Sequence, residues 1–249
     1  MAEVSIVIPT FDTASMTLRC VRAVLASMPP STEVIVVDDG SRDGSAELLA
    51  REARVLRLET NSGFAKAANA GVRVADGRVI VLLNSDAIVE AGALDALVNA
   101  LDEPQVGIAG AQLLNEDGTL QWSGGSTPTF AWILAAVTGL GRFARFFRRG
   151  KKSNEVDWVS GAAMAIRREV WDEVGPLSER YRFYCQDLEL CIRARDAGWR
   201  VRVVEEARVT HGLGKTMGRD REKLRLDLLD WGSARYGRVW AFFARIVLS

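Results

Sequence analysis

The sequence predicts an α/β protein with a mostly parallel central sheet flanked by helices. Short β-branched runs alternate with helix-periodic segments through the first half of the chain. These runs are apolar on both faces, as strands covered on two sides must be. Polar residues follow the strands directly, and open α/β sheets bind ligands beyond the carboxyl ends of their strands.

The elements follow in order. Val4 to Ile8 is a β-branched run closed by Pro9. Met16 to Met28 has helical periodicity, with Leu18, Val21, Val24 and Leu25 on one face. Glu33 to Asp39 is a second strand, stopped by Gly40-Ser41. Ser45 to Ala53 reads as a helix, Arg54 to Leu58 as a strand, Phe64 to Ala75 as an Ala-rich helix and Arg78 to Leu83 as a buried strand. Further on, Val106 to Leu114 reads as a strand, Gln186 to Ala197 as a helix stopped by Gly198, and Trp199 to Val204 as a last strand. The apolar segment Val156 to Ile166 carries a central Ser-Gly.

With 249 residues, the chain has room for one large domain. A formal net charge of zero gives no global field for nucleic acid, and no nucleic-acid partner is expected. Three cysteines without a C-x-x-C pair argue against a disulfide framework or a zinc site, and fit a reducing compartment. One histidine excludes sites that need two imidazoles. Glu3 interrupts the N-terminus, so no signal peptide is expected, and no uninterrupted run of about 18 apolar residues predicts a spanning helix.

The strand ends carry the candidate chemistry. Asp38-Asp39-Gly40-Ser41 could accept hydrogen bonds from a base or a ribose hydroxyl, although Asp-Gly and Ser are also ordinary turn residues. Asn84-Ser85-Asp86 could hold a hard divalent cation, Mg²⁺ or Mn²⁺, or simply cap the next helix. Only Asp86 is charged there, so a nucleotide would have to supply further ligands. Gln186-Asp187-Leu188-Glu189 opens a helix after the aromatic stretch Tyr181 to Tyr184. Its acids are either partners of the helix dipole or a general base. His211 precedes Gly212, whose missing side chain permits close backbone approach. Gly212 to Thr216 imitates half a phosphate loop, but Val209 stands where the pattern needs glycine, so an NTPase is rejected. Lys215 and Thr216 could still touch phosphate singly.

Taken in order, VSIVIPTF, VVDDGSRDGS, NSGFAKAANAG, VIVLLNSDA, WVSGAAMAIRREV, QDLELC with AGWRV, and the late histidine resemble the inverting glycosyltransferases of family 2 over about residues 4 to 216. The NSGFAKAANAG and LLNSDA segments look most like its rhamnosyltransferase-like branch, which builds bacterial surface polysaccharides. The resemblance implies the GT-A fold. It implies a sugar transferred from a nucleotide-diphosphate donor (dTDP, UDP or GDP) to a hydroxyl of a glycan or lipid-linked acceptor. Pro9, Thr10, Asp12, Asp38 and Asp39 would line the nucleoside pocket, with Phe64, Lys66 and Asn69 near the donor. Asn84, Ser85 and Asp86 match the D-x-D motif, with Asp86 its metal-binding end, and His211 matches a histidine that approaches the metal or diphosphate. Asp187 matches the catalytic base, with Glu189 as the runner-up. Asn84 and Gln186 depart from the family's acidic residues at those positions.

The expected organisation is a domain over 1–216 that contains a basic amphipathic insertion at 130–152, followed by a helical extension over 217–249. The insertion crowds Arg142, Arg145, Arg148, Arg149, Lys151 and Lys152 against Phe143, Phe146 and Phe147. The segment from Tyr236 to Leu248 has a similar composition. Both suit a cytoplasmic protein held peripherally against an anionic membrane surface. Two other functions compete: a non-catalytic scaffold of the same fold, and a sugar nucleotidylyltransferase. The second would need a glycine-rich phosphate loop where Pro9-Thr10-Phe11-Asp12 stands.

Overall fold

In the computed structural model, residues 2–129, 154–181, 184–212 and 221–248 are described. The 130–152 insertion, the 216/217 boundary, Lys215 and Thr216 lie outside them. The first half alternates β1 (Val4–Thr10), α1 (Ala14–Ser27), β2 (Thr32–Asp38), α2 (Ser45–Leu49), β3 (Arg54–Arg57), α3 (Phe64–Arg73) and β4 (Val79–Leu83). Then come β5 (Ala87–Val89), α4 (Ala93–Asn99), β6 (Val106–Leu114), β7 (Gly124–Gly125), β8 (Glu155–Val156), β9 (Trp158–Val159) and β10 (Ala163–Arg167). The remaining elements are α5 (Arg168–Val174), α6 (Gln186–Asp196), β11 (Arg200–His211), α7 (Arg221–Tyr236) and α8 (Arg238–Leu248).

The main sheet runs β3-β2-β1-β4-β10-β6-β11-β5, with β8 also paired to β11. Its first four strands are parallel, as their double-sided burial predicts. β10 runs antiparallel between β4 and β6, so the far half is mixed. Side chains alternate along each strand. Ile6, Ile8, Val34, Val36, Val81 and Leu83 join Val21, Val24, Leu49, Leu94 and Leu97 beneath α1, α2 and α4. Val7, Ile35, Val37, Ile80 and Leu82 join the alanines of α3, Trp171 of α5 and Leu190 of α6 on the opposite face. α3 can lie this close because it is built from alanine and glycine. A methyl group at Gly71 would sit 2.4 Å from Val7 and 2.7 Å from Val37.

β11 runs well beyond the predicted end at Val204. Its pairing with β6 shifts register between Val204 and Arg208, a bulge that lets the strand resume and reach His211. There it pairs antiparallel with β5, setting His211 opposite Ala87. Helix α7 docks on α6: Trp231 is buried with Tyr181, Cys185, Leu188 and Ile192. Arg235 pairs with Asp196 of α6, and Asp230 of α7 takes two bonds from Arg180. Cys20, Cys185 and Cys191 are buried and in no disulfide. Burial pushes all three thiols up, which keeps them protonated near neutral pH. Among the described residues, no helix is long and apolar enough to cross a membrane.

Candidate active site

The carboxyl ends of β1, β2 and β4 lie side by side, and the residues just past them build the site. Thr10 ends β1 opposite Asp38 of β2. Its hydroxyl lies 2.9 Å from Thr13 Oγ1 and 2.7 Å from Thr17 Oγ1, and Thr13 reaches Ser85 Oγ at 3.4 Å. A chain of hydroxyls therefore ties the first strand end to the Asn84–Asp86 turn. Pro9 is buried within β1 and Phe64 is half-buried at the start of α3. Lys66 is exposed on α3.

The turn after β2 uses most of its polar atoms on the chain itself. Asp39 Oδ1 accepts from Ser62 N (2.8 Å) and Ser62 Oγ (2.7 Å), and its Oδ2 accepts from Gly63 N at 2.8 Å. That carboxylate caps the N-terminal end of α3 from a distance, where the helix dipole favours negative charge. Asp38 Oδ1 accepts from Ser41 N at 3.1 Å. Its Oδ2 is buried without a hydrogen bond and faces Arg57 Nε at 3.5 Å. Asp12, in the left-handed region (φ 50°), donates its N–H to Ser41 Oγ and accepts from Arg42 N. Gly40 (φ 78°) is needed here, because a Cβ would lie 2.8 Å from the Thr60 carbonyl carbon. A cleft of about 400 Å³ opens beside this turn, lined by Gly40, Ser41, Arg42, Arg57, Leu58 and Glu59. Asn69 is buried in a different duty. Its amide donates to Leu177 O and Glu179 Oε1 and accepts from Leu177 N, clamping the 177–179 segment.

The turn after β4 is arranged otherwise. Asp86 Oδ1 lies 3.2 Å from His211 Nε2, with the two side chains only 7% and 13% exposed. Asn84 Nδ2 is 3.1 Å from the same nitrogen. His211 Nδ1 faces Gln121 Oε1 at 3.2 Å. Gly212 serves Asp86 directly: its N–H donates to Asp86 O at 3.3 Å, and a Cβ there would come within 3.4 Å of Asp86 Oδ2. Among the described residues no cluster of three His, Cys, Asp or Glu side chains forms. Asp86 and His211 therefore offer two ligands at most, and phosphate and water would complete the shell of a hard cation. The geometry fits such an ion. Adjacent ligands at about 2.1 Å on an octahedral cation lie about 3 Å apart.

Asp187 stands at the start of α6, against the turn that leads into β10. Asn84 N donates to Ala162 O, and Gly161 N donates to Asp187 Oδ2 at 2.8 Å. Leu188 N donates to Asp187 Oδ1, also at 2.8 Å. Burial lifts the Asp187 carboxyl above the ordinary carboxylate range, and these backbone N–H groups pull it partly back. A stronger base results. Gly161 packs against it closely, since a Cβ would meet Asp187 Cβ at 3.3 Å. Cys185 holds the preceding turn in the left-handed region (φ 68°), an uncommon conformation for a residue with a side chain. Gln186 is buried and donates to Tyr181 O at 3.0 Å, a bond an ionised glutamate could not make. Glu189 is engaged by Arg193 at 2.8 Å, which leaves it poorly placed as a base. Sequence reasoning missed Gln121, Thr13, Thr17 and Arg57. Thr13, Thr17 and Gln121 lie outside the strand-end motifs, and Arg57, which ends β3, is brought to the site by its pairing with Asp38.

A sequence model of the family described as Glycosyl transferase family 2 matches residues 5–175. An uncharacterised protein, y4gI, of Sinorhizobium fredii is 32% identical over 212 residues, 79% of this chain but 23% of its own length. The N-acetylglucosaminyl-diphospho-decaprenol L-rhamnosyltransferase of Mycobacterium tuberculosis is 29% identical over 224 residues, 79% of this chain and 73% of that protein. Among solved structures, the mannosyltransferase PcManGT from Pyrobaculum calidifontis, in complex with GDP-Man and Mn²⁺, superposes with a TM-score of 0.70 at 19% identity. It covers 95% of this chain and 65% of its own. That likeness shows the fold, the GT-A arrangement.

Proposed function

The chain belongs to glycosyl transferase family 2, and from that premise we propose that it transfers a sugar, with inversion, from a nucleotide-diphosphate donor to an acceptor hydroxyl. The observation that supports this reading is a pair of potential cation ligands at one strand end, joined through the backbone of Ala162 and Gly161 to a buried carboxylate. Asp86 and His211 face each other at 3.2 Å, and Asp187, its carboxyl raised by burial, accepts from Gly161 N in the turn whose Ala162 O accepts from Asn84 N. Asp187 takes the proton from the acceptor hydroxyl as that oxygen attacks the anomeric carbon and the bond to the diphosphate breaks. A base of raised pKa suits this role at neutral pH, and such help typically contributes about 10²–10⁴-fold. Asp86 and His211 would hold a divalent cation, Mg²⁺ or Mn²⁺. When bound, it would neutralise charge on the departing diphosphate. The Mn²⁺ and GDP-Man in the PcManGT complex support that assignment.

The nucleoside end is assigned to the cleft beside Arg57 lined by Gly40, Ser41 and Arg42, next to the turn that Asp12 and Asp38 hold through Ser41 and Arg42. Thr10 and Ser85, joined through Thr13, would keep the nucleoside and diphosphate ends in fixed relation. A deoxyhexose donor and a diphospholipid-linked acceptor are the classes suggested by the name of the mycobacterial relative. The domain over 1–216 would carry the chemistry, with the helices of 217–249 bracing α6. The test is nucleotide release from UDP-, dTDP- and GDP-sugars with Mn²⁺ and a polyprenyl-diphosphate sugar acceptor. No release with any donor, under conditions where the protein is folded, would favour a non-catalytic scaffold.

A peripheral membrane position fits this acceptor class. On α8, Val239 and Phe242 are 72% and 62% exposed beside the exposed Arg238 and Arg245, and the helix has no acidic residue. Apolar side chains flanked by arginines suit an anionic lipid interface. Sedimentation with anionic liposomes should pellet the protein at low salt and less at high salt. Failure to pellet at low salt would point to a soluble acceptor.

A further inference from the structure

Gln121 makes four contacts whose directions constrain one another. Its backbone N–H donates to Leu113 O at 2.8 Å, fixing the residue against β6. Its side-chain Nε2 donates to Leu114 O at 3.1 Å and to His211 O at 2.6 Å. Its Oε1 lies 3.2 Å from His211 Nδ1. Two carbonyl oxygens therefore determine which way the amide points. Turned over, it would set Oε1 against both carbonyls and lose both bonds. With the amide held this way, an acceptor is what faces Nδ1 among the described residues, and Nδ1 carries the proton. In the neutral ring Nε2 is then bare. That unprotonated nitrogen faces Asp86 Oδ1 at 3.2 Å and can accept the Asn84 Nδ2–H at 3.1 Å, an amide that a cation would have to displace. Two acceptors at this separation repel unless a positive species sits with them.

We propose that Gln121 is a positioning residue that fixes His211 as the Nδ1–H tautomer and so leaves Nε2 available to a divalent cation shared with Asp86. The inference rests on the cation-site reading above. It adds a residue 90 positions away in sequence that contributes no ligand of its own. Among the described residues Gln121 Oε1 is the acceptor at Nδ1; without it Asp86 Oδ1 would draw the proton to Nε2, with the Asn84 amide turning its oxygen to that side. The ring would then present N–H where a lone pair is needed. Metal-ligating histidines commonly carry such an orienting partner, and its loss typically weakens metal binding about 10–100-fold.

His211 is the only histidine of the chain, so ¹⁵N-histidine labelling gives one imidazole to follow by long-range ¹H–¹⁵N correlation. The spectra are taken at a pH where the ring is neutral, on wild type and Gln121→Leu, with thermal unfolding recorded for both. Wild type should show the Nδ1–H pattern, and Mn²⁺ with UDP, GDP or dTDP should broaden its ring signals. Gln121→Leu should move to the Nε2–H pattern and bind Mn²⁺ about 10–100-fold more weakly in the same mixtures. A wild-type ring in the Nε2–H form overturns the proposal even if the variant does not fold, and so does a folded variant that keeps the Nδ1–H pattern. Ring signals of wild type that stay sharp with Mn²⁺ and every nucleotide would sink the cation site itself, and with it the purpose assigned to Gln121.

Discussion

The turns after β2 and β4 look alike in sequence, since each closes a buried strand on a short polar run ending in or containing aspartate. In the fold they do different work. Asp39 is saturated by three donors from Ser62 and Gly63. Asp86 instead faces a ring nitrogen delivered by β11, 125 residues further along the chain (211 − 86). A carboxylate that satisfies backbone donors holds loops together. One whose close neighbour is another potential ligand is suited to binding a cation. Variants in the two turns should therefore separate stability from activity.

The largest effect should come from outside both turns and set the scale for them. Asp187→Asn should lower turnover by about 10²–10⁴-fold with donor binding little changed, read as kcat against KM. The pH profile sharpens this. Burial raises the Asp187 carboxyl, and the base must be unprotonated. The rate should therefore rise with pH through a limb displaced above the ordinary carboxylate range, and Asp187→Asn should lack that limb. A limb retained in the variant would assign it to another group.

Next in size, Asp86→Ala should cut Mn²⁺-dependent turnover by about 10²–10³-fold. Its unfolding free energy should stay within about 1 kcal/mol of wild type, because among the described residues no backbone N–H donates to the carboxylate. Wild-type turnover at saturating Mn²⁺ would break the contrast between the turns.

Asp39→Ala tests the other side. It strips partners from two backbone N–H groups and a hydroxyl, and should cost about 2–3 kcal/mol of stability in a denaturant titration. Mn²⁺ affinity of the folded fraction should not change. If stability is untouched while metal binding is lost, the two turns have been assigned the wrong way round.

The smallest effect belongs to Glu189→Gln. It removes an i,i+4 pair with Arg193, worth about 0.5 kcal/mol, and should leave turnover within about threefold. A loss as large as that of Asp187→Asn would transfer the base to Glu189.

Much of this was legible in the amino-acid order. The strand runs at Val4, Glu33, Arg78 and Val106 lie where expected, because double-sided burial leaves a local apolar signature that needs no partner to be read. Asp86 and Asp187 stand out because each follows a strand or opens a helix in an ordered set of motifs, and His211 because it is the one histidine, beside Gly212, late in that set. β11 was truncated in that reading. The exposed pair Glu205-Glu206 looks like a strand terminus, whereas the register shift there carries the strand on to His211.

Sequence by itself determined the α/β class, the family and the strand ends where chemistry gathers, since periodicity and motif order are properties of neighbours along the chain. Only the tertiary structure decided which polar atoms remain available. Asn69 is clamped to Leu177, 108 positions away, Gln186 is turned to the Tyr181 carbonyl, and Gln121 holds His211 across 90 positions. Hydrogen bonds act over about 3 Å whatever the sequence separation. Which donor finds which acceptor is settled by packing, and no local pattern records it.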